Sequence, residues 1–185
     1  SLIRMCGIAG WYARLGRVVD ERVVRAMCDT IVHRGPDDQG TFTDGDFGFG
    51  MRRLAIVDVA GGHQPMVSED GRYVVTFNGE IYNHPELRSE LEHLGHHYRS
   101  NSDTESILRG FQHWGPGLWA RLEGMFAIAL WDRHTRTLHL ARDPLGIKPL
   151  HLSLQAGGLA WGSELKALVP VPGLRFTPDA RAMDQ

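Results

Sequence analysis

Met5-Cys6-Gly7-Ile8-Ala9-Gly10 is the stretch on which the reading of the whole chain turns. Cys6–Ala13 is apolar and rich in β-formers, so it reads as a strand with a thiol at its entrance. If translation starts at Met5 and that methionine is removed, the mature chain begins with a thiol beside a free α-amine. An α-amine titrates at about pH 7.7–8.0, so it can take the proton of an adjacent thiol at working pH. Nucleophile and base then belong to one residue. The plain alternative is a small apolar cysteine entering a strand. Ser1-Leu2-Ile3-Arg4 precede Met5 and read as vector-derived or as a start assigned too early. With them attached, the Cys6 nitrogen is a peptide nitrogen and no base, and the chain in that form is expected to be inactive.

The 185 residues suit one domain with a sizeable core. Apolar content of 42% and charged content of 23% are those of an ordinary globular chain. A net charge of −2 argues against a nucleic-acid or membrane surface. Two cysteines, Cys6 and Cys28, make no disulfide framework and fit a reducing cytoplasm. No apolar run has the length of a membrane span and no signal peptide is visible, so a cytoplasmic location is expected.

Strands are expected at 39–44, 46–58, 72–78, 125–132, 137–142, near 149–154 and at 158–162, with a loop at 60–71. Asp20 is placed to cap a helix carrying Val23, Val24, Met27, Cys28 and Ile31 at helical spacing, which makes Cys28 a core residue. His33–Asp37 breaks that helix. Pro85 suits a first helical position, with a short helix through Leu94. Ser102-Asp103-Thr104-Glu105 has the form of a capping box and opens a helix to about Trp114. Another helix is expected from about Ser163 to Leu168. Strands in the centre with helices in flanking blocks argue for antiparallel sheets covered by helices.

Several segments carry candidate chemistry. Asn78-Gly79 after the strand ending at Phe77 is a strong hairpin signal. The same pair could form an oxyanion hole, since the Asn78 amide and the Gly79 N–H can point at one developing negative oxygen. In Arg52–Asp58, alternation sends Arg53, Ala55 and Val57 to one face and Arg52, Leu54 and Ile56 to the other. At least one arginine must then meet a carboxylate, of the protein or of a ligand. Asp103 at a helix start is a favourable first-turn carboxylate, or a holder for a substrate ammonium. His93-x-x-His96-His97 lacks the further ligands of a metal site. Gly48-x-Gly50 lacks the third glycine of a dinucleotide fingerprint, and no phosphate-binding loop of the GKS type occurs. Arg142–Pro149 reads as a turn between strands.

Taken together these segments resemble the glutaminase domain of class II glutamine amidotransferases, most closely the asparagine synthetase branch. Eight motifs carry the resemblance in order: MCGIAG, HRGPDDQG at 33–40, RRLAIVD at 52–58, FNGEIYNH at 77–84, SDTE at 102–105, GMFAIALWD at 124–132, ARDPLGIKPL at 141–150 and SELKAL at 163–168. It implies a four-layer α/β/β/α sandwich of two antiparallel sheets, of the N-terminal-nucleophile hydrolase type. It implies residues 1–5 as leader plus start Met, 6–169 as the glutaminase domain, and 170–185 as a linker toward a missing C-terminal synthetase domain. Cys6 would attack the carboxamide of L-glutamine, with Asn78 and Gly79 stabilising the oxyanion. Arg53 would bind the α-carboxylate and Asp103 the α-ammonium, and Leu54, Ile56, Val57 and Glu80 would line the pocket, with Arg34 in support. No metal or cofactor is implied for this step; Mg-ATP would belong to the missing domain, which consumes the ammonia. Aspartate is the branch's default acceptor, though other carboxylates remain open, as does a homodimer. Two other readings stand beside this one: a non-catalytic glutamine-binding or regulatory module, and a hydrolase of another amide.

Overall fold

A computed structural model describes residues 6–13, 16–54, 62–155 and 157–177. Its strands are β1 (Gly7–Ala13), β2 (Asp38–Asp44), β3 (Phe47–Arg53), β4 (Met66–Val67), β5 (Tyr73–Ile81), β6 (Gly124–Asp132), β7 (Thr137–Arg142), β8 (His151–Gln155) and β9 (Gly158–Gly162). The helices are α1 (Glu21–Asp29), α2 (His84–His93) and α3 (Asp103–Trp114), with 3-10 turns at Gly115–Arg121 and Leu165–Leu168. One sheet has the order β2-β3-β1-β9-β8 and the other β4-β5-β6-β7. Every pairing is antiparallel.

Strand alternation builds the layers. Along β1, Ala9, Trp11 and Ala13 pack against α1 residues Val24 and Met27, while Ile8 faces the other sheet beside Cys6 and Tyr12. Along β5, Tyr73, Val75, Phe77 and Ile81 pack under α2 and α3, and Val74 faces inward. The inner layer joins Phe47, Phe49 and Met51 of one sheet to Ala127, Ala129 and Trp131 of the other. Phe47 and Trp131 stack there at 4.0 Å between ring centroids, an arrangement that fixes the spacing of the sheets. The result is the expected helix–sheet–sheet–helix sandwich.

The same alternation aims the functional candidates. Cys6 shares the inward parity of Ile8, Asn78 that of Val74, and Arg53 that of Met51. Three residues from distant segments therefore face the space between the sheets at one end. Arg52, of opposite parity, points to α1, where it pairs with Asp29 and donates to the Cys28 carbonyl. Gly48 and Gly50 lie under the same helix: a Cβ on Gly50 would come within 2.9 Å of Cys28 Sγ. That glycine pair lets α1 sit close on the sheet.

Several expectations are corrected. Asn78-Gly79 is no hairpin: β5 runs through it, paired with β6 from Tyr73↔Asp132 to Ile81↔Gly124. The strand expected over 46–58 stops at Arg53, and residues 55–61 lie outside the described ones. The loop at 60–71 contains β4, which adds two residues to the edge of β5. The final helix is a 3-10 turn. Ser102 does cap α3 by accepting the Thr104 N–H, but Glu105 binds the Arg99 and Ser100 amides. Asp20 caps α1 and Cys28 is fully buried, as expected. Past the last 3-10 turn, Val171 is buried and Arg175 exchanges main-chain bonds with the Gln155 amide, so the packed chain reaches that far.

Candidate active site

A cleft of about 840 Å³ opens at the end of the sandwich where Cys6, Arg53 and Asn78 face inward. Leu54, Gly79, Glu80 and Asp103 also line it. Seven of the ten residues singled out from sequence thus meet in one cavity. Arg34 stands behind it, donating from Nε to the Cys6 carbonyl at 3.1 Å. Ile56 and Val57 lie outside the described residues. A smaller hollow of about 210 Å³ over α3 holds none of the candidates, and its rim is closed by Arg99 and Arg109 pairing with Glu69.

The Cys6 sulfur is half-buried and sits on the main chain just after β3, accepting the Leu54 N–H at 3.5 Å. Opposite, Asn78 is 1% exposed, and its Nδ2 is buried with no hydrogen-bond partner among the described residues. An unpaired buried donor costs about 1–3 kcal/mol, so a sequence keeps one where something else is to accept from it. Gly79 supplies a second donor through an unpaired strand edge. Phe77 N–H goes to Gln64 Oε1 at 2.6 Å and Ile81 N–H to Asp103 Oδ2 at 3.0 Å, both away from β6. Alternation points the Gly79 N–H along that same edge, between the two. A side chain there would place Cβ 2.0 Å from the Met125 carbonyl, so only glycine fits.

Charge is arranged around these donors. Burial pushes the Asp103 carboxyl above its ordinary range, although the Ile81 N–H works the other way. Burial, helped by Arg34, pushes Lys148 down, while Cys6 and Glu80 oppose it. Burial also lowers His84, against the pull of Asp103. Arg53 is 6% exposed, an interior cation at the cleft wall. The cleft therefore offers an accessible thiol, two converging donors for a negative oxygen, and groups of both signs for a zwitterion.

Some wall residues were not anticipated. Gln64 bridges β5 to α3 through Phe77 N and Thr104 Oγ1. Lys148 enters from the segment read as a plain turn, which is gathered by Asp143 accepting the Phe126, Ile147 and Lys148 amides. The placing of a lysine among apolar residues was the available cue. Among the described residues, no group of three or more His, Cys, Asp or Glu is placed to hold a metal ion. His96 Nε2 and His113 Nδ1 share a hydrogen bond of 3.1 Å instead.

Comparison with known proteins gives the family and the fold. A family model described as a glutamine amidotransferase domain matches residues 5–185. Asparagine synthetase [glutamine-hydrolyzing] 1 of Bacillus subtilis (strain 168) is 44% identical over 168 residues, covering 89% of this chain and 27% of the relative. Asparagine synthetase [glutamine-hydrolyzing] 3 of the same strain is 37% identical over 184 residues, 98% of this chain and 30% of the relative. The chain thus spans somewhat over a quarter of the length of these curated relatives. Among solved structures, glutamine phosphoribosylpyrophosphate amidotransferase from B. subtilis, complexed with ADP and GMP, superposes with a TM-score of 0.74. It is 20% identical, covers 90% of this chain and 43% of that one, and shares the fold. No helix among the described residues is long and apolar enough to cross a membrane.

Proposed function

The chain belongs to the glutamine amidotransferase domain family, and from that premise we propose that it hydrolyses the side-chain amide of L-glutamine through Cys6. The observation that carries the reading is the buried, unpartnered Nδ2 of Asn78 on the inward face it shares with Cys6.

In this reading Cys6 Sγ attacks the carboxamide carbon and its proton passes to the α-amine of Cys6, which is free once Met5 is gone. The carbonyl oxygen becomes an oxyanion held by Asn78 Nδ2–H and Gly79 N–H. The α-ammonium returns its proton to the leaving nitrogen, the C–N bond breaks, and ammonia departs. Water then attacks the γ-glutamyl thioester, giving glutamate and the free thiol. Arg53 pairs with the substrate α-carboxylate and Asp103 with its α-ammonium, which selects a free amino acid over a peptide amide. Leu54 and Glu80, with Ile56 and Val57, form the walls.

Residues 6–169 are the glutaminase unit, and the ammonia goes to an ATP-dependent synthetase domain of a longer polypeptide, with aspartate as acceptor. The names and lengths of the relatives support this. The test is glutamate release from glutamine by protein beginning at Met5, with processing followed by mass. Release by the form that starts at Cys6, and none by Cys6→Ala or by the form retaining Ser1–Arg4, is expected. Equal release by Cys6→Ala would overturn the reading.

A further inference from the structure

Ser163 and Glu164, just after β9, both reach back to the start of β1. Ser163 is fully buried; its Oγ accepts the Ile8 N–H at 3.0 Å and its own N–H donates to the Ile8 carbonyl at 2.9 Å. Glu164 Oε1 meets Arg34 Nη1 at 3.2 Å and His33 Nε2 at 2.8 Å, while Oε2 meets Lys166 Nζ at 3.1 Å. Arg34 in turn holds the Cys6 carbonyl, and its stem lies flat on Gly7, where an added Cβ would come within 3.0 Å of Cδ. Cys6, Gly7 and Ile8 are therefore held from two sides, by Arg34, which Glu164 anchors, and by Ser163, the neighbour of Glu164 in sequence. From this geometry we propose that Glu164 is a positioning residue for the Cys6 nucleophile, acting through Arg34. The proposal rests on the glutaminase reading.

The physical reason is the direction of the thiol. Sγ hangs from a residue at the very start of a strand, where the sheet ladder does not yet hold the main chain. Fixing the Cys6 carbonyl fixes the plane from which the side chain departs. Arg34 can do this only if its guanidinium is itself anchored, because one carbonyl does not hold a five-donor fork in place. Among the described residues, Glu164 is the side-chain acceptor that the guanidinium meets. Its carboxylate suits that role. Burial pushes it up, but hydrogen bonds from Lys166, His33 and Arg34 outweigh that and keep it ionised. A misplacement of about 1 Å in a reacting atom costs roughly a hundredfold in rate. Substrate affinity is set elsewhere, at Arg53 and Asp103.

Glu164→Ala and Glu164→Gln are compared with the unaltered protein and with Glu90→Ala, which breaks an exposed pair with Arg121. Glutamate release gives kcat and KM, and solvent exchange of the Arg34 Nε–H is followed by NMR. Glu164→Ala is expected to lower kcat at least about tenfold with KM within about twofold, as for an interaction acting on the reacting geometry alone. Its Arg34 Nε–H should exchange faster, and Glu164→Gln, which keeps an acceptor, should recover most of both. Unchanged kcat in Glu164→Ala overturns the proposal, as does a fall in kcat that Glu164→Gln does not relieve. Absence of glutamate release from otherwise unaltered protein that starts at Cys6 tells against the glutaminase reading. Arg34 exchange then still decides the clamp: equal rates in the unaltered protein and Glu164→Ala overturn it.

Discussion

The paired strands β5 and β6 carry a buried polar side chain at each end, treated in opposite ways. At one end Asp132 receives Arg72 through two bonds, at 3.0 and 2.7 Å, and the His134 and Thr135 amides besides. At the other, Asn78 keeps a buried Nδ2 with no partner among the described residues, and the edge beside Gly79 is left unpaired by β4. The Asp132 end is finished as folded structure; at the Asn78 end the unpaired donor lines the cleft. Thr76 Oγ1 in the same ladder is also buried without a partner among the described residues, so what sets Asn78 apart is an unpaired donor that lines the cleft holding Cys6.

The largest effect should come from exchanging the two ends in a pair of variants. Asn78→Ala is expected to lower kcat for glutamine by about 10²–10³-fold, the usual cost of one oxyanion donor. Its stability should hold or rise, because the buried donor removed had no partner to lose and its desolvation penalty goes with it. Asp132→Ala should do the reverse, with kinetics unaltered and a loss of about 1.5–3 kcal/mol in denaturant unfolding, as for hydrogen bonds to a charged group. If both variants lose stability alike, the contrast between the ends is false.

A smaller effect separates Asp103 from Asp132. Removing the Asp103 charge with Asp103→Asn should raise KM for glutamine roughly tenfold to a hundredfold at nearly constant kcat, the measure of one charge-assisted bond. The pH dependence has opposite signs at the two carboxylates. Arg72 holds Asp132 well below its ordinary 3.8, so its stabilisation is present above that value and lost as pH falls through the depressed one. Burial raises Asp103 above 3.8, so the folded state gains from that group as pH falls and loses as pH rises through the raised value. KM should accordingly rise on the acid side before Asp132 fails. A KM flat down to acid unfolding would remove Asp103 from the ammonium site.

Much of this was legible from residues alone, and the reason is periodicity. The strand after Cys6, the buried stripe of α1 and the start of α3 at Asp103 follow from local pattern, while the face that Cys6 shares with Ile8 is set by the fold. Asn78-Gly79 misled because a turn-forming dipeptide is a local cue, while the nine-residue ladder with β6 is a tertiary one and prevails. The donor at Gly79 comes from an open strand edge that only the shortness of β4 creates. Glu164 and Arg34 lie 130 residues apart, and Lys148 reaches the cleft through a turn shaped by Asp143. No spacing rule joins such residues, so the outer support of the site becomes visible only in the fold.

The most direct measurement is acid-quench mass spectrometry of the protein during turnover of glutamine, followed by peptide mapping. A γ-glutamyl adduct is expected on the peptide bearing Cys6, sensitive to hydroxylamine and absent from Cys6→Ala. Cys28 should stay unmodified, since burial pushes its thiol up to about 12 despite Arg52 nearby. Glutamate release with no adduct on Cys6, or with the adduct on Cys28, would contradict the account.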